Sequence, residues 1–279
     1  MQLKKSLPQD RTYDQILNHY KVEKAIAERI KKSNREERKQ IYASMYEELF
    51  QKVPDHSRLT RRKDEEQSNK ANKDKFLLIK SLINNKTVFA EFAPGDCQFS
   101  FEVANHVSQG FGIDISDQHN PSIIPPENFK LIVYDGYNLS EIPDNSIDVL
   151  FSDQLIEHFH PEETQLHFEI AYRILKKSGK YIFRTPHRYS GPHDISKYFS
   201  DEPEGFHLKE WTYSELKPVL RNAGFSLISA RMMRKRVLLW LPFTYFEICE
   251  KVLGRYPRAK IRTIADLILH GIVIVANKN

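Results

Sequence analysis

Four carboxylates close short apolar runs: Glu91 ends "TVFAE", Asp114 "FGID", Asp135 "IVYD" and Asp153 "VLFSD". One such residue needs only a loop to explain it, because Asp is common in loops. Four in succession at one sheet edge would make a negative well. That well suits a cationic ligand whose hydroxyls and amines need acceptors, and it repels a triphosphate. Further on come Glu157, His158, His160, His187, His193, Asp194 and His207, side chains able to take a proton from a nucleophile. Together with Glu162 and Glu163 they also offer oxygen and nitrogen ligands. Their spacing matches no closed zinc pattern, so no metal is expected.

Between the first carboxylate and the next helix lies "FAPGDC", a small-residue turn. A loop that cradles a pyrophosphate favours three glycines here, and this chain has Ala93, Gly95 and Cys97. Gly95 stays where positive φ or close approach matters most. The loop is poorly built for a dinucleotide and adequate for a ligand without a pyrophosphate.

These residues need a sheet to align them. From Thr87 short apolar runs alternate with helical stretches: strands at 87–92, 110–115, 129–134, 147–152 and 179–184, with helices at 97–108 and 161–176. Such alternation predicts a mostly parallel sheet covered by helices. "TYSELKPVLRNAGF" is a further helix, opened by a Thr cap and closed at Gly224. "FSLISARMM" and "HGIVIVANK" supply the last two strands.

The first third has a different texture. Residues 13–32 and 35–50 carry helical apolar stripes, the second through Ile41, Tyr42, Met45, Tyr46, Leu49 and Phe50. The polar stretch 55–73 reads as a loop running into another helix. Residues 1–75 hold 19 Lys and Arg against 13 Asp and Glu, and residues 231–262 hold nine against two, while 76–230 are acidic, 13 against 21. No apolar run is long enough to cross a bilayer, and Met1–Lys5 has no apolar stretch behind it, so no secretory signal is expected. Cys97 and Cys249 are the only cysteines and read as reduced thiols, which fits a cytoplasmic protein.

"VFAEFAPGDC", "FGIDIS", "VYDGYNLSEIPDNSIDVLFSDQLIEHF" and "AYRILKKSGKYIFRTPHR" resemble, in order and spacing, the class I S-adenosylmethionine-dependent methyltransferases of the type 11 kind. The resemblance covers about residues 76–230. It implies a Rossmann-like, doubly wound, mostly parallel seven-stranded sheet with helices on both faces. The helical N-terminal extension would be residues 1–75. The methyltransferase domain would be 76–279, with an insertion at 231–262 before the last strand. Glu91, Ala93, Gly95 and Asp96 would hold the methionyl part of S-adenosylmethionine. Asp114 would accept from the ribose hydroxyls, Asp135 with Gly136 from the adenine amine, and Asp153 with Gln154 would line the methyl-transfer end. His158 would take the acceptor's proton, with His193 next in line.

The expected reaction is methylation of an oxygen on a small-molecule or glycan-related acceptor. The alternatives are methylation of a nitrogen, of RNA or protein, or a non-catalytic binding module. No separate RNA-binding module is visible, so nucleic acid is not the expected partner. The stretch 234–262, aromatic between basic ends, is a candidate for contact with a membrane surface or a second copy of the chain in a homodimer.

Overall fold

The computed structural model describes residues 1–61, 65–121, 123–234, 236–269 and 271–279. Residues 62–64 of the expected polar loop, Lys235 at the head of the insertion and His270 before the last strand lie outside the described residues.

The strands are β1 (Val88–Phe92), β2 (Gln109–Asp114), β3 (Phe129–Val133), β4 (Ile147–Asp153), β5 (Leu175–Thr185), β6 (Leu227–Arg234), β7 (Val237–Leu241) and β8 (Ile272–Asn277). They form one sheet in the order β3-β2-β1-β4-β5-β8-β6-β7. The five from β3 to β5 are parallel, and β8 runs antiparallel between β5 and β6. Among the described residues eight strands replace the expected seven. The extra one, β7, comes from the insertion, where "VLLWL" folds back antiparallel on β6. Trp240 of this edge strand covers Arg231, whose guanidinium lies 3.9 Å from the ring centroid.

Strand order reverses between β1 and β4, so a crevice opens beyond their carboxyl ends. One sheet face packs Phe89, Val149, Phe151 and Ile182 against Phe99 and Val103 of α5 (Gln98–Ala104) and Leu78 and Ile79 at the end of α4 (Glu65–Ile79). The other face buries Ala90, Leu150, Phe183 and Ile274 beneath α6 (Thr164–Ile174), α7 (Tyr213–Asn222), α8 (Phe243–Leu253) and α9 (Arg258–Ile268). Helix α5 is shorter than the expected 97–108. Residues 175–176, expected at the end of a helix, instead begin β5. Most of the stretch expected as a polar loop is helix, because α4 starts at Glu65 and is tied down by ion pairs from Asp74 to Arg236 and Lys75 to Glu91.

Helices α1 (Tyr13–Lys32) and α2 (Arg35–Lys52) each open with a capping box, Thr12 with Gln15 and Asn34 with Glu37. Ile26, Ala27 and Ile30 pack against Tyr42, Met45 and Leu49, and the pair closes on Phe206 and Leu208 of the long segment after β5. The hairpin therefore lies over the carboxyl edge of the sheet, and α3 (Ser57–Arg61) continues that cover. No helix among the described residues is long and apolar enough to cross a membrane.

Candidate active site

The turn after β1 is left-handed three times over: φ is +53° at Ala93, +61° at Gly95 and +63° at Cys97. The three positions where glycine is favoured thus keep the conformation glycine would supply, two of them in residues for which it is strained. Gly95 faces open space, with nothing within 4 Å of where a Cβ would stand. Its amide donates to Asp114 Oδ2 at 3.3 Å, and the amide of Ile115 donates to Oδ1 at 2.7 Å. Asp114 is buried, and burial pushes its carboxyl above the ordinary range.

Glu91 is also buried and pushed up by burial, while Ser100 Oγ donates to it at 2.5 Å and Lys75 Nζ stands 3.4 Å away. Asp96 accepts from the amide of Gln98 at the start of α5. Asp153 accepts from Arg184 through both oxygens, at 2.6 and 2.7 Å. Gln154 takes φ +56° and donates its amide to the carbonyl of Arg184. Asp135 stands apart. Its side chain is exposed, accepts from the amides of Tyr137 and Asn138, and pairs with Lys39 of α2 at 3.3 Å. Gly136 lies nearer the crevice, at φ +83°.

Three hollows meet here. An apolar slot of about 80 Å³ is walled by Phe92, Ile113, Ile115, Tyr134, Leu155 and Phe159, with Gly136 at its side. A polar cavity of about 310 Å³ holds Gly95, Asp96, Asp114, Asp153, Gln154 and Arg184. A third, of about 430 Å³, runs beneath the N-terminal helices past His19, Glu23, Arg58, His193, Asp194 and His207. Tyr46 and His158 line all three.

His158 follows β4 in a short 3-10 turn, Ile156–His158. Its Nδ1 lies 3.0 Å from the carbonyl oxygen of Phe206, an atom that can only accept. The ring proton therefore sits on Nδ1, and Nε2 keeps its lone pair. Burial, then the charges of His207 and Arg58, hold this imidazole well below its ordinary pKa. His207 behaves in the opposite way. Burial works against its charge, but the hydrogen bond to Glu210 and the fields of Glu157 and Asp194 raise it to about 9.

The other candidates are occupied. His193 Nε2 is bonded to Ser190 Oγ at 2.9 Å, although the residue lines the third cavity. His187 is bonded to Glu250 at 2.9 Å in the core under α8. His160 Nδ1 accepts from the amide of Glu162 at 3.4 Å, and Asp194 caps the 3-10 turn Ile195–Tyr198. Glu163 gathers Arg38, Tyr42 and Tyr137.

A family model described as "Methyltransferase domain" matches residues 90–183, the segment that carries β1 to β5 and the turn. The chain carries a class I S-adenosylmethionine-dependent methyltransferase domain. No curated protein matches its sequence significantly. Among solved structures it is similar to a chain in the complex between the Haloferax volcanii Trm112 methyltransferase activator and a methyltransferase. That match has 14% identity and a TM-score of 0.52, covering 75% of this chain and 92% of the other. It is also similar to an S-adenosylmethionine-dependent methyltransferase from Thermotoga maritima, at 18% identity and a TM-score of 0.50, covering 75% and 89%. At these identities the likeness is one of fold.

S-adenosylmethionine is the cofactor of such a domain, and the residues present fit it. The open cradle at Gly95, the acidic rim and the adjoining apolar slot match a nucleoside that bears a sulfonium. Three residues of this methyltransferase site went unread in the sequence. Tyr46 and Arg58 come from the N-terminal helices, and no pattern in a helical stripe says which sheet edge it will cover. Arg184 had a usable signal: it ends the strand beside β4 and falls in register with Asp153.

Proposed function

We propose that this methyltransferase moves a methyl group from S-adenosylmethionine to a hydroxyl oxygen of a small, polar, glycan-related acceptor, with His158 taking the hydroxyl's proton. One observation carries the reading. The Nε2 lone pair, fixed by the Nδ1 bond to Phe206, belongs to a residue that borders both cofactor hollows and the third cavity. When bound, the cofactor supplies a methyl on a sulfonium that keeps the C–S electron pair on leaving. The chain's residues hold, orient and deprotonate.

On this reading Asp114 accepts from the ribose, and Glu91, Ala93, Gly95 and Asp96 surround the methionyl part. The apolar slot takes the adenine, with Gly136 beside it. The Asp135 carboxylate is committed to its own loop and to Lys39, so its share in adenine recognition is indirect. Asp153 offers the methyl-transfer end a charge-balanced pair with Arg184, next to Gln154. His193 lines the third cavity and stands in reserve as a base. Residues 1–75 act as a cover for the catalytic domain, 76–279, because Tyr46 and Arg58 of that cover border the site.

The experiment is transfer of labelled methyl to polar-metabolite fractions of a cell extract, with His158→Ala run in parallel. Label appearing in a hydroxyl-bearing small molecule, and lost in the variant, is the expected result. Label on protein or RNA only, or on nothing, would overturn the reading.

A further inference from the structure

His158 has the lone pair to receive a proton and an environment that refuses to keep it. Burial and the neighbouring His207 charge both disfavour its imidazolium. Beside it lies Glu157, wholly buried, in the same 3-10 turn. Its Oε2 accepts from Thr185 Oγ1 at 2.8 Å, while Oε1 is buried with no hydrogen-bond partner. A ring nitrogen of His158, one of His207 and a carboxylate oxygen of Glu157 lie within 4.8 Å of one another. A buried carboxylate oxygen without a donor is costly to keep, and a use for it lies within reach.

We propose that Glu157 is the proton reservoir behind His158, taking the acceptor's proton over from the imidazole; this rests on the hydroxyl-methylation reading above. The acceptor oxygen gives an electron pair to the methyl carbon and loses its proton to His158 Nε2. That proton passes to Glu157 Oε1, which becomes a carboxylic acid, and the imidazole returns to its neutral form. Once the product has left, the carboxyl returns its proton through the His158 imidazole to water in the cavity that His158 lines, and no oxidant or further reactant is needed. Glu157 touches neither acceptor nor cofactor in this scheme and acts only through His158.

The surroundings suit the role. Burial pushes Glu157 up to about 7, against the pull of His207, so its two forms lie close in energy near neutral pH. Thr185 favours the ionised form, and Asp153 at the end of β4 favours the neutral one. Arg184 and Tyr181 of β5 also face it, the first charged and the second held neutral by burial. His207, bonded to Glu210, stays a cation and steadies the carboxylate between turnovers.

The test compares the parent with Glu157→Gln. The carboxyl carbon of Glu157 is followed by 13C NMR in the S-adenosylhomocysteine complex, and methyl transfer is followed by pH profile on the accepting fraction. The reservoir predicts that Glu157 titrates near 7 and that the rate rises with pH through the same midpoint. Glu157→Gln should lower the rate roughly 10- to 100-fold above pH 7 and lose that inflection, with S-adenosylhomocysteine affinity unchanged. Should Glu157→Gln fail to fold, Thr185→Val must move the inflection upward, because it removes a bond to the ionised form. A Glu157 carboxyl that titrates below 5, or a variant that keeps rate and inflection, would overturn the proposal. A cell extract with no accepting fraction would instead count against hydroxyl methylation and leave the NMR titration to stand or fall alone.

Discussion

Arg184 closes on Asp153 with two hydrogen bonds, Nε to Oδ1 at 2.6 Å and Nη2 to Oδ2 at 2.7 Å, across the register that pairs β5 with β4. Both side chains are mostly covered, with 24% and 9% of their surface exposed. Removing one partner of such a pair leaves the other's charge poorly compensated. Arg184→Met should therefore cost about 3 kcal/mol of stability by urea titration and weaken S-adenosylhomocysteine binding. Adding Asp153→Asn should restore more than half of the stability. A double variant no more stable than the single one would show that the pair is not the cause.

The strained turn leads to a gain rather than a loss. Ala93 is exposed and held at φ +53°, so replacing it with glycine removes strain and sacrifices no packing. Ala93→Gly should raise stability by about 0.5–1 kcal/mol, the strain relieved less the extra freedom of glycine in the unfolded chain. Gly95→Val should act the other way, abolishing cofactor binding in a folded chain, since its side chain would project into the open cradle. Normal S-adenosylhomocysteine affinity in that variant would move the cofactor site elsewhere.

Asp114 binds the turn to the second strand through Gly95 and has the crevice in front of it. Asp114→Ala should weaken S-adenosylmethionine binding by about 1.5–3 kcal/mol, the range for hydrogen bonds to a charged group. Calorimetry on the folded variant decides the matter, and an unchanged dissociation constant would free Asp114 from the ribose.

Much of this arrangement was legible in the sequence because it is local. Period and punctuation mark β1 to β5, and Thr212 announces its helix through the carboxyl side chain three residues on. Contacts between distant segments were not legible. Nothing in the stripe of α2 tells that Tyr46 will border the crevice, or that Phe206 will fix the tautomer of His158 from 48 residues away. Asp135 is a further case: its place after a strand was legible, but not that its exposed carboxylate would pair with Lys39 of a distant helix while accepting from two amides of its own loop.

His158→Ala should lower turnover by about a hundredfold or more, within the range for losing a general base. Cofactor affinity should change far less than the rate, because His158 only borders the cofactor hollows while Asp114 and the turn at Gly95 are assigned its polar contacts. With its pKa held well below 6.5, the imidazole stays in its basic form throughout the working range. Any inflection of the parent's rate near neutral pH should then come from a neighbour. A profile centred at the ordinary imidazole value would contradict this, and equal losses of binding and rate would make His158 structural.

Stability should depend on pH through two buried groups whose protons the fold holds, His207 and Glu157. His207 is raised to about 9 from an ordinary 6.5, so the folded state holds a proton that the unfolded chain has released once pH passes 6.5. That contribution is complete below about 6.5 and disappears as pH rises through 9, with a full size of about 3 kcal/mol. Glu157, also raised, adds the same sign lower down: between the ordinary carboxyl range and about 7, the folded state again binds the extra proton. Below about 6.5 the lowered imidazoles of His56, His158 and His167 work the other way, because the unfolded chain protonates them and the fold does not. The parent should therefore lose stability between about pH 7 and pH 9.5, where these imidazoles are neutral in both states. Urea titrations at about pH 7 and about pH 9.5 measure the drop. His207→Asn should start less stable at about pH 7 and lose less than half as much by about pH 9.5, because the group that released its proton is gone. Parallel curves for parent and variant would mean that His207 carries no excess proton in the fold.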